Sequence, residues 1–295
     1  MRYTILILIF IMAITVLLVG CGRPDKQADG KMLVVASIAP LADFAKEVGG
    51  DLVRVEVLVP PGASSHTYQL TPEQMGLISD ASVLVLNGIG LEYWADKAIN
   101  AADNPELIVI RTGEGLPTIT SDDEHDYGGK NPHVWLNPVY AIHQVEVIRD
   151  AFIKADPSHK KEYTANAVAY IAKLKKLDSD IRKRVKTFSS RSFIAFHPAW
   201  VYFAQEYGLD QAAVIESSPG REPSPSEIKE IIDTARRLKV KAIFAEPQFS
   251  PKAAQVVADE VGAKVLYLDP QGKPPSYDYI ETMRKNLAEI SRALK

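Results

Sequence analysis

From residue 158 to 187 no turn signal interrupts the chain. Apolar residues recur through the stretch at Ala165, Val168, Ile171, Leu174, Leu177, Ile181 and Val185, with lysine and arginine between them. That spacing is one face of an amphipathic helix of about eight turns, ended by no Gly or Pro. On either side, short β-branched runs alternate with helical patterns, which is how parallel βα units read. Before the helix, Met32–Ile38, Val53–Val59, Ser82–Leu86 and Leu107–Ile110 read as strands, with helices at Leu41–Val48, Pro72–Ser79 and Pro138–Ala155. After it, Ser192–Phe196, Ala212–Ile215, Ala242–Ala245 and Lys264–Leu268 read as strands, with helices at Pro225–Leu238 and Pro251–Val261. The two halves echo each other. Pro40–Gly49 resembles Pro198–Gly208 with one residue of slip, and Thr71-Pro72 and Ser224-Pro225 open corresponding helices. The expected fold is α/β: two pseudo-symmetric lobes with parallel sheets, 32–156 and 189–295, joined by one long backbone helix over 157–188. A plain long surface helix is the simpler alternative. As a strut, the helix should restrict closure of the lobes.

The first 31 residues read differently. Arg2 supplies a positive start, and Tyr3 to Val19 is an apolar run broken only by two threonines. It is short for a membrane span and suits an export signal. Cys21 closes it and is the only cysteine in the chain, so no disulfide framework and no thiolate metal cage can form. Residues 22–31 are polar and rich in breakers, a flexible tether. The composition beyond this point is that of an ordinary globular protein, 46% hydrophobic and 24% charged. A net charge of −3, with no basic cluster interleaved with aromatics, excludes nucleic acid as a partner.

Three histidines sit in stiff loops. His66 follows Pro60-Pro61-Gly62, His133 lies in Asn131-Pro132-His133-Val134-Trp135-Leu136-Asn137-Pro138, and His197 lies in Phe196-His197-Pro198. Proline fixes φ and restricts the residue before it, so each loop can hold its imidazole before a ligand arrives. Asp269 ends the run Val265–Leu268 and precedes Pro270. All four fall where a strand gives way to a loop, the place where open α/β sheets bind ligands. They are roughly 65–70 residues apart, so the fold and not a local motif must assemble the site. Three imidazoles and a carboxylate suit zinc better than calcium or magnesium, which take all-oxygen shells. An aspartate before proline is also an ordinary turn residue, which is the competing reading of Asp269. Glu246 and Glu222 occupy loops before helices and read best as carboxylates against helix N-termini, with supporting roles near a metal as the alternative, and Glu246 stands beside Asp269 as a candidate for the fourth ligand. Trp135 is a supporting candidate beside His133. His125, in the polar stretch 121–129, is a weak one, and His143 and His159 lie on helical segments.

Taken together, the signal ending at Cys21, the Pro-Gly-x-x-x-His loop at His66, Asn131–Pro138, Phe196–Leu209, Arg221–Pro225 and Glu246–Pro251 resemble the zinc/manganese class of ABC-transporter solute-binding lipoproteins. The resemblance covers essentially the whole chain after Cys21. It implies two α/β lobes with the ion between them, first three ligands at His66, His133 and His197, and an acidic ligand at Asp269. It also implies lipid modification of Cys21, attachment to a bilayer facing an extracytoplasmic space, and an ABC permease as partner of a monomer. The third position tends to be histidine in zinc members and glutamate in manganese members, so His197 favours Zn2+ over Mn2+. The short stretch before His133 departs from the long histidine-rich loop of many zinc members and leaves manganese open. A zinc hydrolase, a receptor for an organic chelate and a surface adhesin are the rival readings. Four protein ligands and the lack of an HExxH or nucleophile-elbow motif argue against the first. Protonation of ordinary imidazoles would make affinity fall as pH drops through the range near 6.5.

Overall fold

The structure is a computed structural model that describes residues 30–120, 129–218, 220–272 and 277–295. Residues 32–295 form one compact unit. Cys21, the signal, most of the tether and His125 lie outside the described residues.

The first half contains β1 (Met32–Ala36), α1 (Ala39–Gly49), β2 (Val53–Val57), α2 (Pro72–Asp80), β3 (Val83–Leu86), α3 (Ala95–Ala102), β4 (Ile108–Arg111) and α4 (Pro138–Ala155). The strut is α5 (Lys160–Val185). The second half contains β5 (Ser192–Ala195), α6 (Val201–Tyr207), β6 (Asp210–Val214), α7 (Pro225–Leu238), β7 (Ala242–Ala245), α8 (Lys252–Val261), β8 (Lys264–Tyr267) and α9 (Tyr279–Leu294). Each half forms a four-stranded sheet, in order β2-β1-β3-β4 and β6-β5-β7-β8, and all paired neighbours are parallel. The two orders are the same pattern, which bears out the pseudo-symmetric α/β reading. Val34 pairs with Val55 and Val83 in the first sheet, and Ile194 with Ala213 and Ile243 in the second.

The strand interiors are continuous β-branched and leucine runs because both faces of each sheet are covered. Alternate side chains then go to different cores. Leu33, Val35, Leu84 and Leu86 pack outward with Ile78 and Ala98 of α2 and α3. Ile194, Phe196, Ile243 and Ala245 pack outward with Ile231 and Val257 of α7 and α8. The other faces meet in a single cluster. It runs from Val34, Ala36, Val83 and Val85 through α1, α4 and the strut to Phe193, Ala195 and Phe244.

Two capping boxes reinforce the echo between the halves. Thr71 and Gln74 exchange side chain–backbone bonds at the start of α2, and Ser224 and Glu227 do the same at α7. The strut itself differs from its expected pattern. Its buried face is Tyr163, Ala167, Tyr170, Leu174, Leu177, Ile181 and Val185, whereas Ala165 is exposed and Val168 is 59% exposed. The tyrosines carry the stripe in its first half because their hydroxyls find acceptors, Tyr163 on Asp156 and Tyr170 on Asp43. Helices α3, α6 and α9 are absent from the sequence-based assignment, although α3 and α9 carry an apolar face at helical spacing. Among the described residues no helix is long and apolar enough to cross a membrane.

Candidate metal centre

Parallel strands deliver their carboxyl ends to one edge of each sheet, and three loops leaving such edges bring His66, His133 and His197 together. His66 lies between β2 and α2, His133 between β4 and α4, and His197 two residues beyond β5. Their ligand atoms all lie within 4.8 Å of one another. The Nε2 atom of His133 is 3.0 Å from Nε2 of His66 and 3.0 Å from Nε2 of His197. Nitrogens about 2.0–2.1 Å from a tetrahedral ion stand about 3.3 Å apart, so His66 and His197 need move only a few tenths of an ångström away from His133 to match a zinc shell.

Two of the imidazoles are aimed by partners. Asn131 Oδ1 accepts from the backbone N–H of His133 and from its Nδ1, each at 3.0 Å. Glu246 Oε1 lies 2.6 Å from Nδ1 of His197. A carboxylate or an amide oxygen can only accept, so the proton sits on Nδ1 in both rings and the Nε2 lone pair faces the cluster. His133 and His197 are 2% and 3% exposed. His66 has less help among the described residues: its backbone N–H reaches Ser64 Oγ at 3.3 Å, and its ring meets the other two histidines. Burial first, and then the closeness of the imidazoles, which disfavours adding a proton among them, pushes His66 down to about 3 and His133 well below the usual histidine range. Neutral imidazole is the form a metal needs.

Glu246 corrects an expectation. It does not sit against a helix N-terminus, since α8 begins at Lys252. It follows β7 directly and is 1% exposed, with Oε1 on His197 and Oε2 without a protein partner among the described residues. It lines the same small pocket as the three histidines, together with Gln248 and Gln271.

Asp269 is not brought into the cluster. Its Oδ1 accepts from the backbone N–H groups of Gln271 (3.1 Å) and Gly272 (2.9 Å) and from Gln248 Nε2 (3.2 Å). Asn286 pins its backbone on both sides. The carboxylate closes its own turn, the competing role for an aspartate before proline. Glu222 is exposed and lies outside both the cluster and its pocket. His143 bonds the Glu114 carbonyl and His159 bonds Asp156, both away from the site.

Trp135 is 1% exposed, with its ring centroid 5.1 Å from that of His133. Its indole N–H donates to the Pro270 carbonyl at 2.7 Å, tying the first half to the second beside the site. Asn131 Nδ2 makes a second tie to the Pro198 carbonyl (2.6 Å), and Gln271 Nε2 a third to Ser65 Oγ (3.0 Å). The role of Asn131 was within reach of the sequence, because an asparagine two residues before its partner makes a common local side chain–backbone bond. The pairing of Glu246 with His197, 49 residues apart, carried no such local signal.

Two lobes with matching parallel sheets carry between their loops a three-imidazole cluster that could hold a metal ion. The chain belongs to the family of the periplasmic component A of zinc-uptake complexes, whose pattern matches residues 34–293. The zinc-binding lipoprotein AdcA of Streptococcus pneumoniae R6 is 33% identical over 291 residues, which cover 93% of this chain and 58% of AdcA. The chain thus spans less than two thirds of that relative. The manganese-binding lipoprotein MntA of Halalkalibacterium halodurans is 31% identical over 288 residues, 94% of each chain. A crystal structure of ZnuA superposes with a TM-score of 0.82 at 34% identity, covering 89% of this chain and 99% of that one.

Proposed function

We propose that this chain is a lipid-anchored receptor that captures Zn2+ outside the cytoplasmic membrane and hands it to an ABC permease. The observation that carries the reading is the convergence of the Nε2 atoms of His66, His133 and His197, with Asn131 and Glu246 fixing two of them in the metal-binding tautomer. The three imidazoles are the ligands in this reading. Asp269 stands outside the clustered ligand atoms, with its Oδ1 held by the two backbone N–H groups of its turn. Attachment would run through acylation of Cys21, and several acyl chains on one residue hold a protein durably at a bilayer. The chain would act as a monomer with respect to the ion, since all three imidazoles come from one copy.

Manganese is the second reading, favoured by the similarity to a manganese-binding lipoprotein. An all-imidazole donor set is softer than manganese prefers, which places zinc first. Competition titration of the metal-free protein with the two ions tests this directly. Zinc should win in the wild type, and His197→Glu should move the preference toward manganese. An unchanged preference in that variant would remove His197 as the determinant of ion choice.

A further inference from the structure

Asp43 lies on α1, well away in sequence from every ligand, yet it is a buried carboxylate at a meeting of three helices. Its Oδ2 accepts from the hydroxyl of Tyr170 on the strut (2.8 Å) and from the backbone N–H of Tyr279, the first residue of α9 (3.1 Å). Burial lifts the Asp43 carboxyl to about 6, with Glu47 and Asp278 adding to the rise and the two hydrogen bonds opposing it. Keeping such a group inside is unfavourable unless it is hydrogen-bonded, and here both bonds go to neighbouring helices.

What it holds is Tyr279. The Tyr279 ring packs edge-on against Phe44 at 4.9 Å, and its hydroxyl donates to the backbone carbonyl of Trp135 at 2.7 Å. Trp135 in turn packs on the His133 ring. Tyr170, Tyr279 and Trp135 are all buried, so solvent does not replace any of these bonds. Asn131 sets which nitrogen of His133 faces the ion, but a ring held at one nitrogen can still tilt. The indole occupies the space into which it would do so.

We infer that Tyr279 is a positioning residue for the metal ligand His133: anchored by Asp43, it clamps Trp135 against the imidazole. The inference rests on the receptor reading above. It makes the last helix of the chain part of the support for a ligand in the first half, and places that support one step beyond Trp135.

The test is zinc release from the loaded protein into excess chelator, followed by stopped flow, alongside thermal melting of the metal-free forms. Tyr279→Phe removes only the hydroxyl and should speed release about 3- to 10-fold, below the 10- to 100-fold typical of direct partners of ligands. Tyr170→Phe removes a comparable hydroxyl bond from the same carboxylate, so it should lower the melting temperature yet leave release within about 2-fold. Asp43→Ala, which removes the accepting oxygen and so the anchor itself, should follow Tyr279→Phe. Wild-type release from Tyr279→Phe would overturn the inference, as would equal effects of the two tyrosine variants, which would mean general loosening. A wild type that binds no zinc, or that binds it undiminished after His133→Ala, would overturn the receptor reading and this inference with it.

Discussion

His66 and His133 reach the same point by different means. His133 is held by its backbone, its Nδ1 and the face of its ring, through Asn131 and Trp135. His66 comes from a proline-led loop, and among the described residues its ring meets the other two histidines. His197 resembles His133, with Glu246 in place of Asn131. The centre is therefore a fixed pair of imidazoles onto which a third is carried by its loop. A preformed pair gives the ion a defined place to land and a fixed direction of approach, while the loop ligand completes the shell. The lesson is that support, more than the identity of the ligand, distinguishes members of one donor set.

The largest effect expected from this difference comes from deleting ligands. His133→Ala and His197→Ala should each weaken zinc binding by more than about 100-fold, above the range for outer-shell partners, and His66→Ala should cost less. Isothermal titration measures all three, and an equal loss at all three positions would break the comparison. Removing the supports comes next. Asn131→Ala and Glu246→Gln should each weaken zinc binding about 10- to 100-fold without touching a ligand. Losses of that size would make the held pair a product of its partners.

Acidity sharpens the comparison further. With His66 pushed down to about 3 and His133 also depressed, protons compete with the ion at these two positions only well below the usual histidine range. Calorimetry in buffers of different ionisation enthalpy at about pH 5.5 should show fewer protons released per zinc than three ordinary imidazoles would give. This revises the sequence-based expectation of a steep loss near 6.5. Stability of the metal-free protein behaves oppositely. The unfolded chain takes up protons first, so stability is greatest above 6.5 and falls as pH drops toward 3, by about 1.4 kcal/mol per pH unit for each such group. The smallest effect is expected at Asp269. Asp269→Asn should leave zinc affinity within about 2-fold while costing about 1 kcal/mol of stability through the turn it closes. A large loss of affinity there would return Asp269 to the ligand shell.

Much of this was legible in the sequence, and the reasons are specific. Strands covered on both faces leave unbroken runs such as Leu33–Val35 and Val83–Leu86, and the capped starts at Thr71 and Ser224 mark helices by their own chemistry. Proline-bracketed loops mark His66, His133 and His197 in the sequence itself. Three things were hidden. The first half of the strut buries Tyr163 and Tyr170, which count as polar in a simple pattern, and leaves Val168 in solvent. The carboxylate of Asp269 turns onto its own backbone, a choice that depends on where Asn286 of a distant helix holds the chain. Glu246 meets His197 only because β7 lies beside β5, a pairing that strand order alone reveals.

The apolar body that runs from Val34 through the strut to Phe244 has a further consequence. Neither half possesses an interior of its own on that side, so separating them would expose hydrocarbon from both at once. Heat or denaturant should therefore disassemble residues 32–295 in a single cooperative step, and half of the molecule produced alone should fail to hold its shape.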